Sequence, residues 1–383
     1  MRTILLVGLF LIALLSCKEN DNNQELAIYD KFFNPKDAYS LKTHIVTYGI
    51  EAEQIEFYSI FSVKTINDTS FYVGYNDTRH QLDFFSIDHK GIRFQYFLPL
   101  EKEGPNGINK IVGIELIEQG IFILETNHLK LINNKGEVED RKKLNVNNFY
   151  ITAHDNSGLI SLNNQLLVGL HNANISKTKY PKRYYQTQIF GLLNTINLDL
   201  TILPPTFPQL YTEKYFGFMD VPHSTANNNS VFFTLPADYK VYEYNLNTDS
   251  LFALNTEPVF VEKSISGLDW PESTSTDNRL DHFVRSQYFG KPLAISENII
   301  VRFYRDKFPS DIKDISYPLK KKDTYISIID LDKNHYQDFK IEENNIALDK
   351  AFIVDGSIYI PFFSEKENQL KFIKITINEK VIN

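Results

Sequence analysis

The chain has 383 residues, of which 43% are hydrophobic, and its formal net charge is −8 at pH 7. This acidic balance argues against a dedicated nucleic-acid binder, because such proteins need basic surfaces that neutralise phosphates. Phenylalanine and tyrosine are abundant, with 29 and 22 residues, beside one cysteine and one tryptophan. Aromatic and β-branched side chains favour strands, so the composition predicts an all-β protein.

The N-terminus is typical of a secreted precursor. Arg2 precedes an apolar run over residues 4–15, which is shorter than the ~20 residues that span a bilayer as a helix. A basic start followed by an apolar core of this length predicts a signal peptide over residues 1–16. The motif Leu14-Leu15-Ser16-Cys17 resembles the lipobox of bacterial lipoproteins, which implies that the Cys17 thiol carries lipid. The alternative is an ordinary signal peptide with a chance cysteine.

Residues 17–26 are interpreted as the lipidated cysteine followed by a flexible tether. The tether is predicted because the segment after Cys17 is polar and lacks apolar periodicity. Lys18-Glu19 resembles the surface-export signal of Bacteroidota lipoproteins, a lysine followed by acidic residues. The expected location is therefore the outer membrane, reached through the lipid anchor, with outward display as the more specific expectation. No later apolar stretch is long enough to span a membrane.

Residues 27–383 predict one β-propeller domain. Six similar units recur, each with three short strands joined by turns rich in Asn and Asp, and an apolar segment upstream supplies a fourth strand. The units begin at residues 71, 121, 166, 231, 299 and 358. Four-stranded units repeated in this way are typical of a propeller. We expect six blades, with seven as the alternative and a two-sheet sandwich as the structural rival.

Ring closure is predicted to involve both ends of the domain. The last unit ends on a short predicted strand at residues 380–382, so an N-terminal segment from residues 25–50 is expected to help close the ring. No stretch with helical periodicity of useful length follows the signal peptide, and no helix is expected there.

One segment resembles a known family. The sequence EKEGPNGI at residues 101–108, followed by GIFILETNHLKLINNKGEVEDRKKL, is similar to an uncharacterised Bacteroidota lipoprotein family called domain of unknown function 4221. The resemblance covers most of the chain after the signal peptide, with EGPNG as its one sharp motif. It implies a six-bladed propeller related to the TolB type. It implies no catalytic residues, because the family has no established activity.

Motifs of known chemistry are absent from the sequence. There is no HExxH, HxH or CxxC pattern, and no GxSxG elbow, P-loop or GxGxxG, so no metal or cofactor is expected. The polar clusters His154-Asp155, His223 and Asp281-His282 are interpreted first as satisfied histidines at strand ends. The alternative hypothesis is a hydrolase or lyase whose carboxylate–histidine pairs converge at the propeller mouth from His154, His223 or Asp281.

Two further motifs are interpreted as turns. Residues 330–334 begin like a calcium loop, but His335 replaces the required glycine and Ile341 replaces the final glutamate. The tripeptide Asp249-Ser250-Leu251 matches an O-glycosylation acceptor pattern of this bacterial group, and it too falls in a predicted turn.

Long loops predict the surface that binds a partner. Loops 172–183 and 306–323 lie between the second and third strands of their units, and segments 204–217 and 256–282 join units. All four should emerge on one side of the ring, together with residues 101–108; we call this side the long-loop face. Its candidate binding residues are Gly104, Pro105, Asn106, Gly107, Tyr180, Arg183, Phe207, Tyr211, Tyr215 and Trp270.

Two interpretations of these candidates remain open. Aromatic rings flanked by polar groups can stack on sugars or anchor a peptide, whereas the alternative is that they cover the edge of the core. For residues 104–107, a rigid structural connector is the first interpretation. The resulting hypothesis is a non-enzymatic binding or scaffold protein that holds a glycan, a peptide or an envelope protein, and not nucleic acid.

Overall fold

The computed structural model describes residues 26–49, 58–88, 91–126, 128–144, 148–152, 159–162, 164–270, 275–308, 322–363 and 369–380. Their strands form six sheets, each built on an antiparallel meander, and the first strands of several neighbouring sheets contact each other around a central axis. The six-bladed propeller is therefore confirmed, and a seventh blade and a two-sheet sandwich are excluded for these residues. The predicted signal peptide, Cys17 and most of the tether lie outside the described residues.

Each blade is a small meander whose first strand lies nearest the axis. Blade 1 contains Phe61–Ile66, Thr69–Asn76, Gln81–Asp88 and Gly91–Pro99. Blade 2 contains Ile111–Ile117, Gly120–Glu125, His128–Ile132 and Val138–Lys143. Blade 3 contains Phe149–Thr152, Ile160–Leu162, Gln165–Asn172, Phe190–Asn194 and Leu200–Ile202, the first two of which both pair with the third.

The last three blades each gain a strand from the N-terminal segment. Blade 4 contains His223–Ala226, Ser230–Leu235, Asp238–Asn245 and Ser250–Asn255, and then Ile28–Phe32. Blade 5 contains Tyr288–Ala294, Ile299–Arg305, Thr324–Asp330 and His335–Ile341, and then Asn34–Pro35. Blade 6 contains Phe352–Val354, Ser357–Pro361 and Gln369–Glu379, and then Tyr39–Gly49.

This N-terminal segment, residues 28–49, forms a belt around half of the ring. Residues 28–32 and 34–35 run parallel to the outer strands of blades 4 and 5. Residues 39–49 then pair antiparallel with the whole of Gln369–Glu379. The prediction that residues 25–50 help close the ring is confirmed. The last described strand ends at Glu379 rather than beginning at residue 380, and residues 381–383 lie outside the described part of the chain.

The core consists of separate apolar clusters between neighbouring blades. Between blades 6 and 1, for example, Phe61 stacks on Tyr72 with ring centroids 5.2 Å apart, and Phe352 stacks on Tyr359 at 5.5 Å. Offset rings of this kind fill the wedge between two twisted sheets and add attraction beyond area burial. The high aromatic content of the sequence is thus used mainly inside the ring.

Helices were not expected from the sequence, and this expectation is wrong. A ten-residue helix spans Thr276–Arg285, and two short helices span Pro181–Tyr184 and Gln209–Glu213. The longest begins at Ser275, whose side chain accepts a hydrogen bond from the backbone N–H of Asn278, an N-cap. Its only apolar residues are Leu280, Phe283 and Val284, which show the helical spacing once only, so the pattern is too short to stand out in the sequence. Within the described residues, no helix has the length and apolar character needed to cross a membrane.

Both motifs interpreted as turns are turns. Residues 331–334 connect two strands of blade 5, and Asn334 adopts a positive φ of 50°. Asp249 closes the turn before Ser250–Asn255 with a φ of 54°. Asp and Asn tolerate this left-handed conformation better than other side chains. Glycosylation at Ser250 stays a prediction.

Candidate functional site on the long-loop face

The strand order places the predicted loops on one side of the ring. In an antiparallel meander, the connections after the second and fourth strands emerge on the same side, and those after the first and third emerge on the other. Loop 172–183 and segments 101–108, 204–217 and 256–282 therefore share the long-loop face. Residues 271–274 of the last segment and residues 309–321 of the fourth predicted loop lie outside the described residues, so the placement holds for the parts on either side of these gaps.

A cavity of about 560 Å³ lies on this face, on blade 3. It lies between the long loop of that blade and the connector to blade 4, and Leu26 of the N-terminal segment also lines it. We call it the blade 3 groove. Its polar lining comes from amide and hydroxyl side chains, namely Asn172, Gln186, Gln188, Gln209, Thr187, Thr206 and Thr212. Its apolar lining comes from Leu26, Ile175, Pro204, Phe207 and the ring of Tyr185, and Arg183 is its one charged residue.

Local structure fixes the groove walls. Pro181 begins the short helix of the long loop, where a missing N–H costs nothing. Thr187 then donates its hydroxyl to the Tyr184 carbonyl at 2.7 Å and ends the turn. Gln188 forms a bridge with Thr206, so the loop and the connector are held together as a pair of short strands.

An ion pair with a buried carboxylate supports the groove from behind. The Asp220 carboxylate is 2.6 Å from the Lys177 Nζ and accepts a 2.8 Å hydrogen bond from the Tyr185 hydroxyl. Burial, followed by the charge of Asp220, raises the pKa of Tyr185 above its ordinary range, so the phenol stays protonated. This arrangement joins the long loop to the connector and holds the Tyr185 ring in the groove wall.

A second polar pair lies beside it. The Tyr184 hydroxyl is 2.6 Å from the His171 Nδ1. Burial lowers the pKa of His171 although the charge of Asp220 opposes this effect, so the ring is neutral at pH 7. Both groups are thereby committed to structural hydrogen bonds, and the groove itself offers neutral donors and acceptors.

Three predicted binding aromatics are buried, which corrects the expectation that they face a ligand. Tyr211 and Tyr215 are 0% and 1% exposed. The Tyr211 hydroxyl donates to the Met219 carbonyl at 2.8 Å and accepts from the Ala237 N–H at 3.0 Å. Phe207 is also buried, although it reaches the groove lining. The alternative interpretation, that these rings cover the core edge, therefore holds for Tyr211 and Tyr215.

The remaining predicted residues of this face are more accessible. Tyr180 is 48% exposed, and Arg183 is exposed and lines the groove. Trp270 is half-buried, stacked on Tyr215 with centroids 6.1 Å apart, and the Lys182 Nζ lies 5.0 Å from its ring. Arg183 and Phe207 are thus the two predicted residues that the structure brings together in one cavity.

Residues 104–107 form a connector that holds blades 1 and 2 together. The buried Gly107 carbonyl accepts a 2.6 Å hydrogen bond from the Lys130 Nζ, and Lys130 forms a 2.7 Å ion pair with Glu125. The Asn106 side chain accepts from the Val138 N–H at 3.2 Å, and Gly104 has a positive φ of 86°. Gly104 and Pro105 are exposed, but the contacts of the segment are structural.

The carboxylate–histidine pairs of the enzyme hypothesis do not form among the described residues. His223 contacts the Tyr288 hydroxyl, and Asp281 pairs with Arg285 at 2.8 Å on the helix surface. His282 Nε2 is 2.7 Å from the Ser266 carbonyl. His154 and Asp155 lie outside the described residues. No group of three metal-ligating side chains occurs in the described part of the chain.

The central channel holds a polar cluster that sequence reasoning missed. It has a volume of about 390 Å³ and is lined by the first strands of the blades, including Ser62, Lys64, Glu115 and Lys291. Burial raises the pKa of Glu115 to about 7, although Lys64 and the Ser62 hydroxyl oppose the shift. Ser62 and Lys64 occur two residues apart in a short strand, and this alternation is the signal that could have indicated a polar channel.

Comparisons with known proteins agree with the architecture. The family model described as Domain of unknown function (DUF4221) matches residues 32–335. A crystal structure of a DUF4221 family member from Bacteroides vulgatus is similar with a TM-score of 0.75 and 13% identity, covering 90% of this chain and 99% of that one.

More distant structures add no argument. The N-terminal domain of Nup159 has a TM-score of 0.40 and 9% identity, over 92% of this chain and 99% of that one. A luciferin-regenerating enzyme has a TM-score of 0.42 and 9% identity, over 87% and 95%. A search of curated proteins found no match.

Proposed function

We propose a binding function for this chain, which belongs to the DUF4221 family. The chain is a lipid-anchored protein of the outer membrane, and its propeller holds a neutral glycan in the blade 3 groove. The observation that carries this proposal is the lining of the groove, which consists mainly of amide and hydroxyl side chains, with a few apolar side chains and a single charged residue.

The composition of the groove favours sugars over other ligands. Amide and hydroxyl side chains can each donate and accept, which matches the hydroxyl groups of a sugar. Leu26, Ile175 and Pro204 supply apolar surface beside these groups, as ligand pockets usually do, and the buried rings of Tyr185 and Phe207 back the groove wall. A phosphorylated or acidic ligand should bind less well, because Arg183 is the only cation in the lining of the groove.

The anchor is supported by the sequence. Lipidation at Cys17 would attach the mature chain through more than one acyl chain, and two such signals suffice for stable membrane attachment. The tether of residues 17–26 ends at Leu26, which lines the groove. Only the tether of residues 17–26 therefore separates the proposed ligand site from the anchor along the chain.

The test measures binding of the full chain to neutral polysaccharides. Affinity electrophoresis in gels that contain dextran, mannan or starch should retard the wild-type protein in at least one gel. The double variant Arg183→Ala, Gln188→Ala should lose the retardation, because both side chains line the groove. Lys179→Ala is the matched control, since Lys179 lies on the same loop, is exposed and does not line the groove.

Two results would count against the proposal. If the double variant and the control are retarded equally, the blade 3 groove is not the binding site. If a Cys17→Ser chain stays in the membrane fraction after carbonate washing, the lipid-anchor part of the proposal is wrong. The two parts of the proposal can therefore fail separately.

A further inference from the structure

A cavity between blades 1 and 2 lies on the side of the ring opposite the long-loop face. Its volume is about 360 Å³, which is within the range of pockets that hold small molecules. Residues 117–121 and 133–134 line it, and they lie at the turns after the first and third strands of blade 2. The opposing side comes from blade 1, so we call this space the blade 1–2 cavity.

The blade 1 side of this cavity is an aromatic wall. The Tyr96 ring is 44% exposed and stacks on the Phe84 ring, with centroids 4.4 Å apart and 15° between their planes. Phe84 is buried and supports the Tyr96 ring, while the half-buried Ile66 and Phe71 complete the wall. An aromatic ring offers flat apolar surface, and its face attracts cations because it carries partial negative charge. The wall therefore favours apolar and cationic groups over anions.

The mouth of the cavity is acidic. Glu118 and Glu139 line it, both are exposed, and the lining contains no lysine, arginine or histidine. Within the described part of the chain, neither carboxylate has an ion-pair or hydrogen-bond partner. By contrast, the neighbouring Asp140 lies 3.2 Å from the Lys142 Nζ and does not line the cavity. Two carboxylates thus give the cavity a negative charge that no cation of its lining offsets.

The blade 2 side of the cavity is held in place by contacts within that blade. Gly120 ends one lining turn, and an added Cβ there would collide with the Ile132 carbonyl oxygen. The Asn133 Oδ1 accepts hydrogen bonds from the N–H groups of Lys135 and Glu137 at 2.9 and 3.1 Å, which closes the other turn. The cavity is therefore preformed, so a ligand does not have to order these turns when it binds.

We propose that the blade 1–2 cavity binds a small organic ammonium ion, whose apolar body packs on the aromatic wall and whose ammonium group lies beside the Tyr96 ring and faces Glu118 and Glu139. The two carboxylates favour this ligand over an anion. The aromatic wall favours it over Ca²⁺ or Mg²⁺, which need several oxygen ligands. The cavity lies on the other side of the ring from the blade 3 groove and does not depend on the glycan proposal.

The experiment uses 2-phenylethylammonium as the probe, 2-phenylethanol as its uncharged analogue and 3-phenylpropanoate as an anion of similar shape. Ligand-observed NMR titrations of the full chain at low ionic strength should show that the ammonium ion binds about tenfold or more tightly than the alcohol. The anion should give no binding signal. Added salt should weaken ammonium binding, since interactions with exposed carboxylates are screened.

Two variants separate the ring from the charges. Tyr96→Leu keeps an apolar side chain but removes the aromatic face, so it should weaken ammonium binding by about threefold or more. The double variant Glu118→Gln, Glu139→Gln should weaken ammonium binding by about tenfold and leave alcohol binding unchanged, because it removes both charges. Asp140→Asn is the matched control, since Asp140 adjoins Glu139, is exposed and does not line the cavity. It should bind the ammonium ion as the wild type does.

The wild-type chain can overturn the proposal without reference to any variant. Absence of ammonium binding, or equal affinity for the ammonium ion and the alcohol, would do so. If the double variant binds the ammonium ion as tightly as Asp140→Asn does, the blade 1–2 cavity is not the site. All the substituted side chains are exposed, so the variants should keep the wild-type circular dichroism spectrum, and a loss of binding then reports on the cavity.

Discussion

The two halves of the ring protect the outer edges of their blades by different means. Blades 4, 5 and 6 are covered by the belt, which adds a final strand to each of them. Blades 1, 2 and 3 end in strands that no other described strand covers. The belt therefore both closes the ring and removes edges, whereas the uncovered half depends on the sequences of its own outer strands.

The uncovered edges differ among themselves. The outer strand of blade 3 has only three residues, and that of blade 2 has five consecutive charged residues, 139–143. Short strands and charged side chains are the usual ways of preventing edge-to-edge association. The outer strand of blade 1 has less of this protection, since it is nine residues long, carries a single charged residue, Arg93, and exposes Phe94, Tyr96 and Phe97 by 40–54%. The comparison thus identifies blade 1 as the least protected edge of the ring.

The largest effect should follow from removal of the belt. A chain that begins at residue 50 lacks the 11-residue strand that completes blade 6, whereas a chain that begins at residue 36 keeps it. The shorter chain should fail to give a folded monomer in circular dichroism and gel filtration, because blade 6 and the ring stay open. The longer chain should fold with a lowered Tm. Similar behaviour of the two chains would show that ring closure does not depend on this strand.

A single belt side chain should also have a large effect. Phe33 is 7% exposed and packs with Phe232, Leu254 and Ile329 between blades 4 and 5. Phe33→Ala should lower the free energy of unfolding by about 3–5 kcal/mol, as buried Phe-to-Ala changes do. Its neighbour Phe32 is 75% exposed, so Phe32→Ala should change the free energy of unfolding by less than about 0.5 kcal/mol. Urea titrations that give equal losses would contradict the described packing of the belt.

A hydrogen bond between the belt and blade 5 gives a smaller, pH-dependent effect. The Tyr39 hydroxyl donates to the Asp330 Oδ2 at 2.6 Å. Burial raises the pKa of Asp330, but the hydrogen bonds from Tyr39 and the Lys333 N–H outweigh it, so the pKa lies below its ordinary value. Tyr39→Phe should cost about 1.5–3 kcal/mol near neutral pH.

The sign of the pH dependence follows from that lowered pKa. The stability contributed by Asp330 is present above the unfolded-state pKa of about 4, and it is lost as pH falls through the folded-state pKa. The difference between wild type and Tyr39→Phe should therefore shrink below about pH 4 in urea titrations. Tyr58→Phe removes a matching 2.7 Å bond to Asp83 in blade 1 and serves as the control from the uncovered half. A Tyr39→Phe loss that stays constant with pH would contradict the role of Asp330.

The smallest effect on stability should come from the uncovered edges, where self-association is the sensitive measurement. Arg141→Val with Lys143→Val removes charge from the outer strand of blade 2 and should promote association at high protein concentration. Phe97→Lys adds charge to blade 1 and should reduce association. Both should change the free energy of unfolding by less than about 0.5 kcal/mol. If sedimentation shows less association for the blade 2 variant and more for the blade 1 variant than for the wild type, these edges are not contact sites.

The repeat pattern was the most reliable guide to the fold. Each unit recognised in the sequence became one blade, because alternation of apolar side chains and turns rich in Asn and Asp are local properties of a strand meander. The helix at Thr276–Arg285 escaped notice because it has only three apolar residues, which show the helical spacing a single time. The Ser275 cap fixes its start, while Val284 is buried and Phe283 packs against the core.

The candidate site was predicted less well, because aromatic residues in loops have two possible environments. Arg183 and Phe207 were predicted on the binding face, and both line the blade 3 groove. Tyr211 and Tyr215 are in the core instead, where the Tyr211 hydroxyl is satisfied by backbone groups of residues 219 and 237. A loop sequence shows that a ring is present but not which side of the loop faces the core.

The sequence by itself determined the blade count and the turn positions, since each is set by residues close together in the chain. The short end of the last unit also indicated that an N-terminal segment closes the ring, although that closure pairs residues 39–49 with the distant residues 369–379. The sequence also carries the prediction of a lipid anchor at Cys17. Only the tertiary structure decided which side chains meet. Glu115 and Lys64 are 3.8 Å apart in the channel, and Tyr39 of blade 6 bonds to Asp330 of the neighbouring blade 5, because the folded ring brings together strands that are far apart in sequence.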